Sequence, residues 1–199
     1  MTVESLSSGQ GLSRGADRRR SLVEAAFRQI AVKGLEGLRL RDVATAVGLD
    51  HSTLHHYFPT KEDLIADVVS YATDRLWTTV PTTGNPADQI RRHLQAIGQV
   101  MRRCPELFLV LGELSLRATR DPKVRAIIDR NDRDWRRWIR ARLSQGTWPR
   151  VLDPATGTEL IIAAIKGASV DPRHAVTALR QLARLLTHRA DGTERKESS

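Results

Sequence analysis

The chain has 199 residues, 40% hydrophobic and 28% charged, with 32 Lys and Arg against 23 Asp and Glu and a formal charge of +9. That is material for one or two folded domains; its longest apolar runs, Leu107–Leu111 and Leu160–Ile165, fall far short of the ~18 residues a membrane-spanning helix requires. Cys104 is the single cysteine, which excludes an internal disulfide or a thiolate zinc cage, while the basic balance invites a nucleic-acid partner.

Residues 1–16, rich in Ser and Gly, predict a flexible arm. Arg18-Arg19-Arg20 precedes an apolar stretch, but Glu24 and Arg28 interrupt it and no small-residue cleavage site follows, so an export signal is excluded and a cytoplasmic protein expected. From Asp17, a candidate cap, Leu22, Val23, Ala26, Phe27, Ile30 and Ala31 recur at helical spacing, and Gly34 stands at a C-terminal cap position. A short second helix fits Leu40, Val43, Ala44 and Val47 and ends at Gly48. Asp50 caps a third, with Leu49 and Leu54 spaced as a hydrophobic staple, and Pro59 stops it after Phe58. Thr60 to Asp63 has capping-box spacing ahead of Leu64, Ile65, Val68, Val69, Ala72 and Leu76, a longer fourth helix. The Pro-, Gly- and Thr-rich stretch 78–86 is the expected domain boundary. Beyond it, helices are predicted near 87–103, 105–118, 121–145, 154–169 and 172–189, and the polar residues 191–199 read as a disordered tail. No segment alternates with period two, so the class is all-α, with a head at 17–77 and a second domain at 78–190.

Two short helices joined by Val47-Gly48-Leu49-Asp50 make a helix-turn-helix. Ala44 is small where the helices approach, Gly48 can take positive φ in the turn, and Val43, Val47 and Leu54 supply a small core. Such units lay the second helix in the DNA major groove. The wider pattern is more specific. Gly34, then Leu40-Arg41-Asp42-Val43-Ala44, Gly48-Leu49, Thr53-Leu54-His55-His56-Tyr57-Phe58 and Lys61-Glu62-Asp63-Leu64 together resemble the N-terminal domain of the TetR/AcrR family of transcriptional regulators over residues 17–77. His55 stands where the family usually has Tyr, and Arg39 where it favours Ser or Thr.

The resemblance implies a three-helix DNA-binding head and a helical domain for ligand binding and dimerisation. The expected function is a ligand-responsive repressor that binds a palindromic operator as a homodimer and is released by a small-molecule effector. The alternative is a helical protein-interaction module that has lost specific DNA binding. DNA-contact candidates are Arg41, His51, Ser52, Thr53, His55, His56, Tyr57 and Lys61: hydroxyls and imidazoles to donate to phosphate or read base edges, Lys61 to meet the backbone. His51 and His55 are four apart, but only the cap Asp50 offers a further ligand there, so no metal site is expected.

In the second domain, Leu107, Phe108, Val110, Leu111, Leu114 and Leu116 make a helix apolar on nearly all sides, hence buried. Glu113 inside it either pairs with Arg117 at i,i+4, the favoured choice, or anchors a pocket. Leu111, Glu113, Leu114, Trp135, Trp138 and Ile139 are the candidate effector residues. Leu160, Ile161, Ala164 and Ala168 on one helix, with Val176, Leu179, Leu182, Ala183 and Leu186 on the next, are the candidate dimer face. No glycine-rich phosphate loop, nucleophile elbow or metal cluster points to an enzyme, and no cofactor is implied. The charge is unevenly spread: residues 1–80 hold 10 basic and 10 acidic side chains, residues 81–199 hold 22 and 13, so the head is formally neutral. The arginines at 130, 133, 136, 137, 140 and 142 read as a solvated face, with an anionic-ligand site as the lesser choice.

Overall fold

A computed structural model describes residues 7–146, 148 and 153–187, with the backbone alone for 7–13. The regular elements among the described residues are all helical: α1 (Ser7–Lys33), a 3-10 turn (Leu35–Gly37), α2 (Leu40–Ala46), α3 (His51–Tyr57), α4 (Lys61–Trp77), α5 (Pro86–Arg103), α6 (Pro105–Ala118), α7 (Pro122–Gln145), α8 (Pro154–Val170) and α9 (Pro172–Thr187). The last five helices all begin on proline, whose fixed φ suits a first turn and whose missing N–H costs nothing there. An Asn or Asp precedes four of those prolines and accepts backbone N–H bonds of the first turn: Asn85 from Asp88 N, Asp121 from Lys123 and Val124 N, Asp153 from Thr156 N, and Asp171 from Arg173 N.

The expected arm is corrected in part. α1 starts at Ser7, and Asp17 lies inside it with its carbonyl accepting from Ser21 Oγ at 3.0 Å. Gly9, Gly11 and Gly15 each weaken a helix by about 1 kcal/mol, but extending an existing helix adds a hydrogen bond per residue without a new nucleation step, and no proline intervenes. The expectations for residues 1–6 and for the tail 191–199 lie outside the described residues.

The chain divides into two compact units, and not at residue 78. Residues up to Asp74 group with Leu109–Asn131; Arg75–Phe108 group with the chain from Asp132 onward. The first unit is built on the apolar faces of α1 (Leu22, Ala26, Ile30), α3 (Leu54, Phe58) and α4 (Leu64, Val68, Ala72), all 1% exposed or less. In the second, α5 packs along α9, and α9 against α8. Gly98 permits that approach: a Cβ there would lie 3.3 Å from Val176 Cα.

Two apolar patterns are corrected. α6 is buried on one side only, through Leu107, Val110 and Leu114, while Leu109 and Leu116 are 58% and 59% exposed, because those two fall on the opposite side of the helix. In the expected dimer stripes, Ile161, Leu179 and Ala183 are spent inside the protomer, where the packing of α8, α9 and α5 covers them. Leu160 remains half-exposed, and Ala164, Ala168, Val176, Leu182 and Leu186 are partly covered.

Gly34 (φ 68°) and Gly48 (φ 71°) occupy backbone that favours glycine. A Cβ on Gly48 meets nothing within 4 Å, whereas one on Gly34 comes 3.2 Å from Glu113 Oε2. Gly48→Ala is therefore expected to cost about 1 kcal/mol of backbone strain alone, and Gly34→Ala more than that, measured as unfolding midpoints in urea.

Candidate nucleic-acid interface and effector core

α2 and α3 form the helix-turn-helix. Gly48 turns the chain, the Val47, Gly48 and Leu49 amides fold back on Ala44 and Thr45 carbonyls, and Val43, Ala44 and Leu54 are buried. α3 turns Leu54 and Phe58 inward, each 0% exposed, and leaves His51, Ser52, His55 and His56 exposed with Thr53 and Tyr57 half-buried. Arg41 is exposed on α2, and Lys61 is half-buried in the first turn of α4. That turn closes by the anticipated capping box: Asp63 Oδ2 accepts from Thr60 N at 3.0 Å and Thr60 Oγ accepts from Asp63 N at 3.1 Å. The His51 and His55 rings meet edge-on with centroids 4.5 Å apart.

The cap of α3 changes what Ser52 and Thr53 present. Asp50 accepts from Ser52 Oγ at 2.6 Å, Thr53 N at 2.6 Å and Thr53 Oγ1 at 3.0 Å. The Ser52 hydroxyl, then the Thr53 amide and hydroxyl, hold its carboxyl down to about 2, so it stays ionised. Both hydroxyl hydrogens point at Asp50, so these side chains offer lone pairs outward rather than the phosphate donors expected of them. Donation falls to the imidazoles, Tyr57, Arg41 and Lys61.

Arg19 escaped the sequence reading. Its Nε bonds Asp67 of α4 at 2.7 Å, its Nη1 donates to the Tyr57 carbonyl at the end of α3 at 2.6 Å, and its guanidinium lies 4.3 Å over the Phe58 ring. One α1 side chain thus fixes the far end of the exposed helix to α4. Nothing in a run of three arginines marks the middle one for that role.

Glu113 is corrected as well. It is exposed, and its Oε2 accepts from Leu35 N at 3.2 Å, against the bare Cα of Gly34. Arg117 pairs instead with Glu36 at 2.9 Å and Asp121 at 3.2 Å. The carboxylate serves the orphan amide that opens the 3-10 turn, a partner far away in sequence.

The candidate effector residues divide between the units: Leu111, Glu113 and Leu114 in the first, Trp135, Trp138 and Ile139 in the second. Trp135 and Trp138 flank a buried histidine that the sequence did not single out. His93 is 1% exposed, its Nε2 accepts from Trp135 Nε1 at 2.8 Å, and its ring meets those of Trp135 and Trp138 edge-on at 6.0 and 5.0 Å. Since an indole N–H only donates, the proton of the neutral ring sits on Nδ1 and points to Thr79, whose Oγ1 lies at 3.1 Å and carbonyl at 3.3 Å. Burial pushes the imidazole down to about 4, against the bond to the Thr79 backbone, which raises it. Arg142 lies 4.8 Å over the Trp138 ring and donates to Gln89 at 2.9 Å.

Residues 22–68, which span the helix-turn-helix, match the family model for bacterial regulatory proteins of the tetR family. The chain carries the DNA-binding domain of TetR-family transcriptional regulators. Among relatives, the transcriptional repressor KstR2 of Mycobacterium tuberculosis is 24% identical over 153 residues, covering 75% of this chain and 76% of that protein. A TetR-family regulator from Rhodococcus sp. superposes with a TM-score of 0.77 at 23% identity over 87% of this chain and 100% of the other. AibR, solved with isovaleryl coenzyme A and operator DNA, gives 0.69 at 22% identity over 85% and 97%. The solved structures share the all-helical fold with its N-terminal helix-turn-helix.

Proposed function

We propose that this TetR-family regulator is a ligand-responsive repressor that binds a palindromic operator as a homodimer and is released by a small-molecule effector. The observation that carries it is the α2–α3 pair, whose inner face is fully buried while its outer face presents imidazoles beside Tyr57 and Lys61. AibR, which shares the fold, has been solved with both an acyl-coenzyme A and operator DNA, and this supports the same pairing of ligands here. Dimerisation follows from the physics of reading: one head touches few bases, whereas a two-fold pair reads half-sites about 34–36 Å apart. Leu160, Val170 and Leu185, 50%, 86% and 65% exposed on α8 and α9, form the remaining apolar face for the partner copy. The effector binds the released state more tightly than the DNA-bound one, and DNA in return weakens effector binding by the same factor. The regulator acts in the cytoplasm and catalyses no reaction.

Selection of bound DNA followed by footprinting tests this. A protected inverted repeat supports the proposal, and its absence from the whole genome overturns it. Lys61→Ala and Tyr57→Ala are each expected to weaken operator binding about tenfold, with Lys61→Ala lowering the salt slope by about one unit, as a lost phosphate contact does. Unchanged affinity in both variants would favour the interaction module.

A further inference from the structure

Four arginines of α7, at 133, 136, 137 and 140, line an open groove of about 640 Å³ whose other wall is Ala155, Thr156, Thr158 and Glu159 of α8. Their spacing, i, i+3, i+4 and i+7, makes one stripe along the helix. Glu159 is the one carboxylate of the lining, which therefore carries a formal charge of +3, four Arg against one Glu.

The acids around it are largely engaged. Glu159 is held by Arg136, which lies 4.0 Å from Asp132; Asp132 is also taken by Lys166 at 3.0 Å, and Asp134 by Arg137 at 2.8 Å. Asp153 caps α8 through Thr156 and feels Arg140 only through the field. Among the described residues, Arg133 and Arg140 have no carboxylate within ion-pair distance. Two arginines with unspent guanidinium groups are thus rooted two turns apart, about 10 Å between their backbone positions along α7, with the paired Arg136 and Arg137 between them.

We propose that this groove binds an organic anion carrying two or more phosphate groups, its phosphates on Arg133 and Arg140 and its body over Ala155 and the Thr156 methyl. A guanidinium fork matches a phosphate in two hydrogen bonds and gives up less hydration than an ammonium, which suits arginine rather than lysine at every position. The volume falls within the range of small-molecule sites. A single carboxylate would use one of the unspent groups and leave the other exposed. The site names a chemical class for the effector, and in that respect the proposal rests on the ligand-responsive reading; the binding itself does not.

The test is calorimetric titration of the intact protein, at physiological salt, with ADP, pyrophosphate and adenosine, alongside operator binding in the same buffer. One ADP per chain is expected, with no heat from adenosine and at least tenfold weaker ADP binding in the Arg133→Gln/Arg140→Gln double variant. Pyrophosphate as tight as ADP assigns the site to inorganic diphosphate; weaker pyrophosphate assigns it to a nucleotide-like tail. Both variant positions are exposed, and thermal unfolding verifies the fold. Non-saturating ADP heats, or equal affinity in the double variant, overturn the proposal. So does a loss of operator affinity in the double variant without any added anion, which would make these arginines DNA contacts. A wild-type protein that binds ADP but no operator overturns the repressor reading and leaves the anion site standing.

Discussion

Arg19→Ala is expected to lower the thermal midpoint by several degrees and to weaken operator binding at least tenfold, although Arg19 need not touch DNA. The side chain makes a charge-assisted bond to Asp67, a second bond to the Tyr57 carbonyl and a cation–π contact with Phe58. Hydrogen bonds to charged groups are worth roughly 1.5–3 kcal/mol each. Arg19 and Asp67 are 43% and 34% exposed, so solvent screening reduces the whole cluster to about 2 kcal/mol. For a chain of this size that corresponds to a shift of roughly 4–8 °C. The effect on DNA has a separate origin. α3 is seven residues long, too short to hold itself, and its last carbonyl is one that Arg19 satisfies. Without that bond the end of α3 carrying His55, His56 and Tyr57 frays, and ordering it again on DNA subtracts from affinity. Arg19→Lys keeps the charge but not the fork, so it should recover part of the stability and little of the affinity. Gel shifts and calorimetry on the two variants decide the matter; wild-type behaviour in Arg19→Ala would show the clamp to be incidental.

The second large effect is acid destabilisation through His93. An unfolded imidazole takes up its proton near pH 6.5, whereas the buried one resists until about 4. Between those values the unfolded chain binds more protons than the folded one, so stability falls as the pH drops through that window. It is fully present above about 6.5 and flat again below about 4. From pH 7 to pH 5 this one group should remove about 2 kcal/mol. Protonation also places a hydrogen on Nε2, which faces the Trp135 N–H at 2.8 Å, so the two donors repel and the indole is released. His93→Gln retains one donor and one acceptor but does not titrate, and the difference between its urea-unfolding pH profile and that of the wild type isolates the group. Asp50 and Asp171, both held down to about 2, contribute nothing in this window. Parallel profiles would mean that His93 is solvated in solution.

Local signals in the chain were legible where the partner lies close in sequence. The Asp50 cap, the Thr60–Asp63 capping box, the Gly48 turn and the inward Leu54 and Phe58 follow from spacings of a few residues. What escaped depends on distant partners. Arg19 meets Asp67 across 48 positions, Glu113 meets the Leu35 amide across 78, and Trp135 meets His93 across 42. Periodicity also reports that a stripe is apolar without saying what covers it. Leu179 and Ala183 are buried in their own protomer, and Leu160 on the neighbouring helix is not. The hydroxyls of Ser52 and Thr53 show the same limit at the recognition helix, since residue type names a donor and only geometry shows that Asp50 has already taken it.

The carboxylate of Glu113 on the Leu35 amide bears on how modular the head is. Arg117 reaches Glu36, Lys123 reaches Glu62, and Asn131 accepts from Ser70 and lies 3.5 Å from Thr73, so residues 109–131 satisfy polar groups of the turn after α1 and of α4. A fragment excised at the end of α4 would carry every side chain proposed to contact DNA and still lack the acceptor for the turn that leads into α2. Grafting this head onto another regulator therefore means transplanting two stretches of chain, with Glu113 and Arg117 moving together with Gly34, Leu35 and Glu36. Inheritance by recombination faces the same constraint, because a crossover in the 78–86 loop separates the turn from the side chains that hold it.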